Sequence, residues 1–328
     1  RIRGRAERFL MRPDMIYSAA VATSLYLQQD SIYHPKLTMR FLPEKKEFTL
    51  IREDEGMGMA PFDDTYHQMD MKFQTIRWEV GSPLMQLSNL NTGGAEAPAV
   101  FESHNYYRDK RWRAIEGMNR RSPLLDLRDL SRSRNGQQRF TTREVADHLR
   151  MTESNAHRFL MRMAIYGFVT YYNNRREVIL KDKIFEYYRN VRGIRDYDVI
   201  QFVSRVEEGP NAQLSMENHQ LDINGIDRIA LSDSQRVGLY PAGKKIEMKK
   251  GLDFDFNGKI SAGRFNYWGK QFAFSYDEFM IGMKDIDSMR FQVVSFEKNL
   301  NDQYELVDVK TVLQDLTGEL LIDKANNK

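Results

Sequence analysis

The apolar positions of this 328-residue chain change period twice. Up to about residue 90 they alternate with polar ones or run together in β-branched and aromatic stretches. AAVATSLYLQQDSIYH, KLTMRFL, KEFTLIR and QTIRWEV are the main ones, and the pattern is that of strands half-buried on a sheet. Pro13-Asp14 and Pro43-Glu44 mark turns between them, and the opening IRGRAERFLMRPD alternates as a strand does. Glu53 to Asp64, rich in acidic residues and holding Gly56, Gly58 and Pro61, reads as a surface loop. The small, polar NLNTGGAEAP of Asn89 to Pro98 has the composition of a connector and marks a first boundary.

From Asn105 the period becomes helical. Tyr107, Arg111, Ile115 and Met118 share one face, and Ser122-Pro123 restarts a helix with proline where its missing N–H costs little. Thr141 with Glu144 forms a capping box. Val145, Ala146 and Leu149 then face one way. Thr152 caps a second helix with an apolar stripe of Ala156, Phe159, Leu160, Met163 and Ala164, and Gly167 ends it as a C′ glycine. Two short strands, Phe168 to Tyr172 and Glu177 to Leu180, follow around Asn173-Asn174, and the amphipathic DKIFEYYRNV closes the segment. Thr141 to Leu180 resembles a winged helix-turn-helix.

Strands return near Tyr197 with YDVIQFVSRV and AQLSM around the turn sequence EEGPN. LDINGI and FDFNGKI follow 33 residues apart, and an Asp-Ser pair recurs at Asp30-Ser31, Asp233-Ser234 and Asp287-Ser288, echoes that suggest stacked or meandering β units. The last stretch, YELVDVKTVLQDLTGELLID, is again strand-like. The expected fold is therefore α+β: two β-rich, antiparallel, repeat-like regions, 1–98 and 193–328, flank a helical module over 99–192 with its winged-helix core at 140–180. Both β regions are expected to be truncated at their outer ends, the first because it opens on Arg1 and the second because its strand-like run stops abruptly at NNK.

Charge sharpens this division. Residues 1–104 carry 12 Lys and Arg against 14 Asp and Glu, residues 105–190 carry 19 against 10, and residues 191–328 carry 18 against 22. The excess of +9 thus sits in the helical middle, where a phosphate-binding module would need it. On the second helix Glu153, Asn155, His157, Arg158 and Arg162 lie off the apolar stripe, and the hairpin adds Arg175 and Arg176. Arginine can take guanine bidentately and asparagine adenine, so Asn155, His157, Arg158, Arg162, Arg175 and Arg176 are the candidate contacts to nucleic acid or to a partner. A solvated or protein-docking helix face has the same composition.

Other chemistry is thin. No apolar run reaches the ~18 residues of a membrane span. Zero cysteines exclude disulfides, thiolate zinc sites and cysteine nucleophiles. His34, His67, His104, His148, His157 and His219 show no ligand spacing and are expected as surface or packing residues. Asp253, Asp255, Asn257 and Gly258 mimic half a calcium loop, but Arg264 stands at the last ligand position, and the expected form is a strand running into an Asn-Gly turn. The aromatic cluster of Phe265, Tyr267, Trp268, Phe272, Phe274, Tyr276 and Phe279 is expected as core. No nucleophile elbow, phosphate loop or metalloprotease motif is present, so the expectation is a non-enzyme with no cofactor and no metal site.

One resemblance spans most of the chain. HRFLMRMAIYGFVTYY, EVILKDKIFEYY, YDVIQF, IALSDSQRV, FDFNGKISAGRFNYWGKQFAFSYDEF, DIDSM and DLTGELLIDKANNK, in that order, resemble the central segment of very long, functionally uncharacterised β-repeat proteins of Bacteroidota, and RPDMIYS and DSIYHPKL fit a repeat of them. The resemblance implies a structural or interaction segment of a cell-envelope scaffold, with the helical module as a docking or spacer element. Its partner would be protein: its own flanking repeats or another envelope component. The alternative from the residues alone is a cytoplasmic nucleic-acid-binding protein with β-rich accessory domains.

Overall fold

Alternating apolar residues make strands of almost everything outside the helical middle. The computed structural model describes residues 2–89, 98–116, 122–193, 198–298, 302, 304–309 and 313–322; Met118 and most of NLNTGGAEAP lie outside these. The first strands are β1 (Ile2–Ala6), β2 (Leu10–Met11), β3 (Ile16–Leu27), β4 (Asp30–Leu42), β5 (Glu47–Arg52), β6 (Phe62–Asp64), β7 (Met69–Lys72), β8 (Thr75–Glu79), β9 (Leu84–Ser88) and β10 (Ala99–Ser103). The middle holds α1 (Asp109–Glu116), α2 (Pro123–Ser133), β11 (Arg139–Thr141), α3 (Thr142–Leu149), α4 (Glu153–Ile165), β12 (Val169–Tyr172), β13 (Glu177–Leu180) and α5 (Lys183–Val191). The strands β14 (Gln201–Ser204), β15 (Ala212–Ser215), β16 (Leu221–Ile223), β17 (Ile229–Ser232), β18 (Val237–Pro241) and β19 (Ile246–Met248) come next. Last are β20 (Phe254–Ala262), β21 (Phe265–Ser275), β22 (Met280–Lys298), β23 (Tyr304–Asp308) and β24 (Leu313–Leu321).

Two long strands act as seams. The first half of β4 pairs with β6 and its second half with β5. From β5 the antiparallel order continues through β8, β9, β15, β16 and β19. From β6 it continues through β7, β10 and β14, and a Ser204–Ile226 bridge leads towards β17 and β18. Both runs rejoin on β20, whose first residues pair with β19 and whose later ones pair with β18. The runs bury their apolar faces in one core: Leu50, Met85, Leu214 and Ile246 from one, Met71, Phe101, Phe202 and Leu239 from the other. The flanks, separate in sequence, are thus hydrogen-bonded into a single antiparallel β body.

Three local expectations change. Glu53 to Asp64 is not a plain surface loop: Gly56–Met59 forms a 3-10 turn, and Met57, Ala60, Pro61 and Phe62 are buried while Glu53, Asp54 and Glu55 stay at the surface or near it. Its apolar residues are spaced to reach inward. Asn257-Gly258 is not a turn, because β20 runs straight through it as a bulge; Gly258 takes φ 137, and a Cβ there would meet the Tyr240 carbonyl at 2.3 Å. The aromatic cluster divides: Phe272 and Phe274 are buried, whereas Phe265 is 41% exposed, because the β20 to β22 ladder outruns the second layer.

The helical module is an insertion between two adjacent strands. It leaves at the end of β10 and returns before β14, and the two crossing points are pinned together. Asp198 accepts from Ser103 Oγ, from Tyr276 Oη at 2.6 Å and from the Ile200 N–H at 3.0 Å. Inside the module α2, β11, α3, α4, β12 and β13 follow in order, with the three strands arranged β11-β13-β12. The capping box is formed, Thr152 accepts from the Asn155 N–H, and Gly167 follows α4 at φ 77. A second core of Leu127, Val145, Leu160, Met163, Phe168, Val178, Ile184 and Tyr187 results, and Met57 of the β body joins it.

Candidate functional site

The candidate contacts from sequence do not behave as one group. Ala156, Leu160, Met163 and Ala164 turn inward, which leaves Asn155, Arg158 and Arg162 exposed on the outer side of α4. Arg158 donates to Asn155 Oδ1 at 2.6 Å, and the Arg162 guanidinium lies 5.8 Å from the Tyr166 ring centre. Arg175 and Arg176 are exposed at the hairpin tip, Arg176 at φ 51. His157 is turned inward: its Nδ1 lies 2.8 Å from the Tyr171 hydroxyl, which also meets Thr142 Oγ1 at 3.0 Å. Burial and the Arg176 charge hold its pKa below the ordinary histidine value. His157 therefore braces the hairpin against α4 and is removed from the set of groove contacts.

The β body also covers part of α4 and of the hairpin. Met161 lies against the Gly56–Met59 turn, and Tyr172 of β12 packs on Tyr33 of β4 with ring centres 5.8 Å apart. The free surface is thus a strip from Asn155 to Arg162 with the hairpin tip, not a whole helix face.

Behind it lies a set of residues that sequence reasoning missed. Lys183 Nζ donates to Asp70 Oδ2 at 2.5 Å, with both residues buried. Lys181 Nζ sits 2.9 Å from Asp63 Oδ2 and 3.6 Å from Asp70 Oδ1. Further along, Arg111 of α1 donates bidentately to Glu102, at 2.7 and 2.9 Å, and Gln201 and Lys72 complete the surroundings of that carboxylate. Three basic residues of the module thus meet three acidic residues of the β body across the seam. Gly167 is held there too, since a Cβ would come within 2.9 Å of Asp70 Oδ2 and 3.3 Å of Pro61 Cγ. A signal was available: Lys183, Ile184, Tyr187 and Asn190 share the buried stripe of α5, so Lys183 sits where an apolar residue belongs.

The seam also tests the metal expectation. Asp63, Asp70 and His104 bring ligand-type atoms within 4.8 Å of one another, and His104 Nε2 is 3.2 Å from Asp63 Oδ1. Two ammonium groups already neutralise the two carboxylates, so a divalent cation would have to displace Lys181 or Lys183. The arrangement is chemically a salt-bridge cluster. A shallow cleft with room for about one water molecule opens beside it between Tyr33, Pro61, Asp63, Ala164, Tyr171 and Lys181. Its charged floor is the same pair, which leaves no uncompensated charge for a ligand.

The cluster fixes a pH response. Burial alone would raise the Asp63, Asp70 and Glu102 carboxyls, but the facing cations outweigh it and hold all three below their ordinary values, Glu102 at about 2. A depressed carboxylate contributes its full stabilisation above the unfolded value, 4.5 for Glu102, and loses it as pH falls towards about 2. Thermal melts taken at stepped pH are expected to show the midpoint falling across that window, and Glu102→Gln is expected to flatten the slope. An unchanged slope in that variant would remove Glu102 from the linkage.

No family model, curated protein or solved structure matches this chain. Among the described residues no helix is long and apolar enough to cross a membrane.

Proposed function

We propose that this chain is a non-enzymatic structural and interaction segment of a large β-repeat protein of the cell envelope, and that its insertion is a winged-helix-type module kept as a docking or spacer element. The order helix, strand, helix, helix and hairpin, with β13 between β11 and β12, supports the winged-helix assignment. The observation that carries the functional reading is the seam. Arg111, Lys181 and Lys183 are spent on Glu102, Asp63 and Asp70, so part of the module's positive excess serves attachment to its own body rather than phosphate. A module clamped at its base and braced through Met161 and Tyr172 suits a fixed spacer.

One observation favours a second reading. Asn155, Arg158, Arg162, Arg175 and Arg176 remain exposed, and the four arginines have no acidic partner among the described residues. Such a strip can hold phosphates and read bases. Fluorescence anisotropy of the purified chain with labelled duplex DNA at stepped salt separates the two. The spacer reading expects nothing tighter than non-specific binding, on the order of 10⁻⁴ to 10⁻⁶ M. Sub-micromolar affinity with a steep negative salt slope, lost when Arg158, Arg162, Arg175 and Arg176 are all changed to alanine, would overturn it in favour of nucleic-acid recognition.

A further inference from the structure

One outer face of the β body carries a row in which cations and aromatic rings alternate. Across β18, β20, β21 and β22, Tyr240 pairs with Lys259 and Lys259 with Trp268, while Arg290 pairs with Asn266 and so stands diagonal to Trp268. On the other side of β18, Leu239 pairs with Ile229, and the next position of that register sets Arg228 opposite Tyr240. Leu239 and Ile260 are buried, so the residues that alternate with them face outward, and Tyr240 is 38% exposed. Lys259 Nζ lies 5.3 Å from the Tyr240 ring centre and 5.4 Å from that of Trp268. The Arg290 guanidinium, from the strand on the opposite side, lies 5.5 Å from the Trp268 ring. Arg228 crosses the same face, its Nε 3.2 Å from where a Cβ on Gly238 would stand.

The charges of this row are not neutralised. Among the described residues Arg228, Lys259 and Arg290 have no acidic partner. Of the nearby carboxylates, Asp227 pairs with Lys244 at 2.8 Å and Asp255 with Lys249 at 2.6 Å, and the exposed Asp287 pairs with none of the three. A ring beneath a cation holds it in place, for roughly 0.5–1 kcal/mol at an exposed site, without cancelling its charge. Neighbouring strands lie about 4.8 Å apart, so successive cations stand two strands, roughly 10 Å, from one another. Ser261 and Asn266, half-buried in the adjacent row of the same face, make no side-chain hydrogen bond among the described residues.

We propose that this face binds an acidic glycan, a chain in which a uronate alternates with a neutral sugar, laid across the strands. Three unpaired cations in line call for a polyanion, and their spacing calls for a sparse one. Duplex nucleic acid, with a negative charge about every 1.7 Å of its axis, is far denser. Single-stranded nucleic acid needs an open ring face for its bases, whereas Trp268 has a cation on either side. An extended sugar ring is about as long as the strand spacing. Alternate carboxylates therefore fall over Arg228, Lys259 and Arg290, and the neutral sugars between them meet the hydroxyl of Ser261 and the amide of Asn266. The site is built from the β body alone, so it stands whether the helical insertion is a spacer or a reader of nucleic acid.

Calorimetric titration of the purified chain with a hyaluronan oligosaccharide, and with a chitin oligosaccharide of equal length as the uncharged probe, tests it. The expected result is binding of the first, weakened by salt, and none of the second. Changing Arg228, Lys259 and Arg290 together to glutamine is expected to weaken binding about tenfold or more, a loss of ~1.4 kcal/mol, with melting curves unchanged. Tryptophan emission gives a readout that needs no charge variant: it is expected to change on binding in the native chain and not in Trp268→Phe, which keeps Trp78 and Trp112. Alanine at Arg158, Arg162, Arg175 and Arg176 is expected to leave hyaluronan binding as it was, so failure here and failure of the spacer reading are separate results. Absence of hyaluronan binding, equal binding of the chitin probe, indifference to the triple change, or an emission change undiminished in Trp268→Phe would overturn the proposal. Tighter binding of oligothymidylate or of polyglutamate would overturn it in favour of nucleic acid or of an acidic protein.

Discussion

Lys183→Met is expected to destabilise the protein by about 3 to 5 kcal/mol, the cost of breaking a buried ion pair from one side. Lys183 is 5% exposed and Asp70 1%, and their contact is 2.5 Å. Removing the ammonium leaves the Asp70 carboxylate in a low-dielectric seam beside Asp63, with Lys181 shared between the two. The double change Lys183→Met with Asp70→Leu is expected to recover most of the loss, because replacing both members of a buried pair by packed apolar groups is often neutral or better. Urea unfolding of the three proteins measures this. A loss below about 1 kcal/mol for the single variant, the scale of an exposed pair, would sink the buried clamp.

Phe254→Ala is expected to cost a similar ~3 to 5 kcal/mol for a different reason, a cavity in the core. Phe254 is 0% exposed at the point where the two runs rejoin, its ring 5.5 Å from that of Phe202 and 4.9 Å from that of Phe274. Neighbours drawn from both runs cannot close in together, so the void persists. Phe265→Ala is the control from the same aromatic stretch: at an exposed position it is expected to change stability by no more than about 0.5 kcal/mol. Guanidinium unfolding that gave equal costs for the two would mean that the division of the cluster is wrong.

That pair of variants also marks the limit of sequence reading. QFAFSY alternates, and β21 does bury Phe272 and Phe274 on one face. Nothing in the alternation says where along a strand the opposing layer stops. A bulge between Gly269 and Phe272 shifts the register, so that Phe265 and Tyr267 return to the face of Phe272 and Phe274, where Tyr267 is half-buried and Phe265 is exposed. The acidic stretch before Phe62 misled for a related reason: three consecutive acidic residues outweighed Met57, yet the methionine is what reaches the core of the helical module.

Local chemistry was legible. Thr141 and Glu144, Thr152, the stripe from Ala156 to Ala164 and Gly167 act on backbone groups and neighbours within one or two turns of helix, so their meaning does not depend on the rest of the fold. The same holds for the strands, whose period of two is visible in any six residues. The uses of charge were not legible. An excess of +9 looks alike whether it faces phosphate or a carboxylate of the same chain, and Lys183 and Asp70 are 113 residues apart. The sequence by itself thus determined that strand-rich flanks enclose a helical middle and where α3 and α4 begin, because those rules are short-ranged, but it missed β6 behind the acidic stretch and the strand through Asn257-Gly258. Only the tertiary structure decided that Arg111, Lys181, Lys183 and His157 face inward while Arg158, Arg162, Arg175 and Arg176 face water. That choice depends on which carboxylates and hydroxyls the folded strands bring beneath the module, and on the cost of burying a charge without a partner.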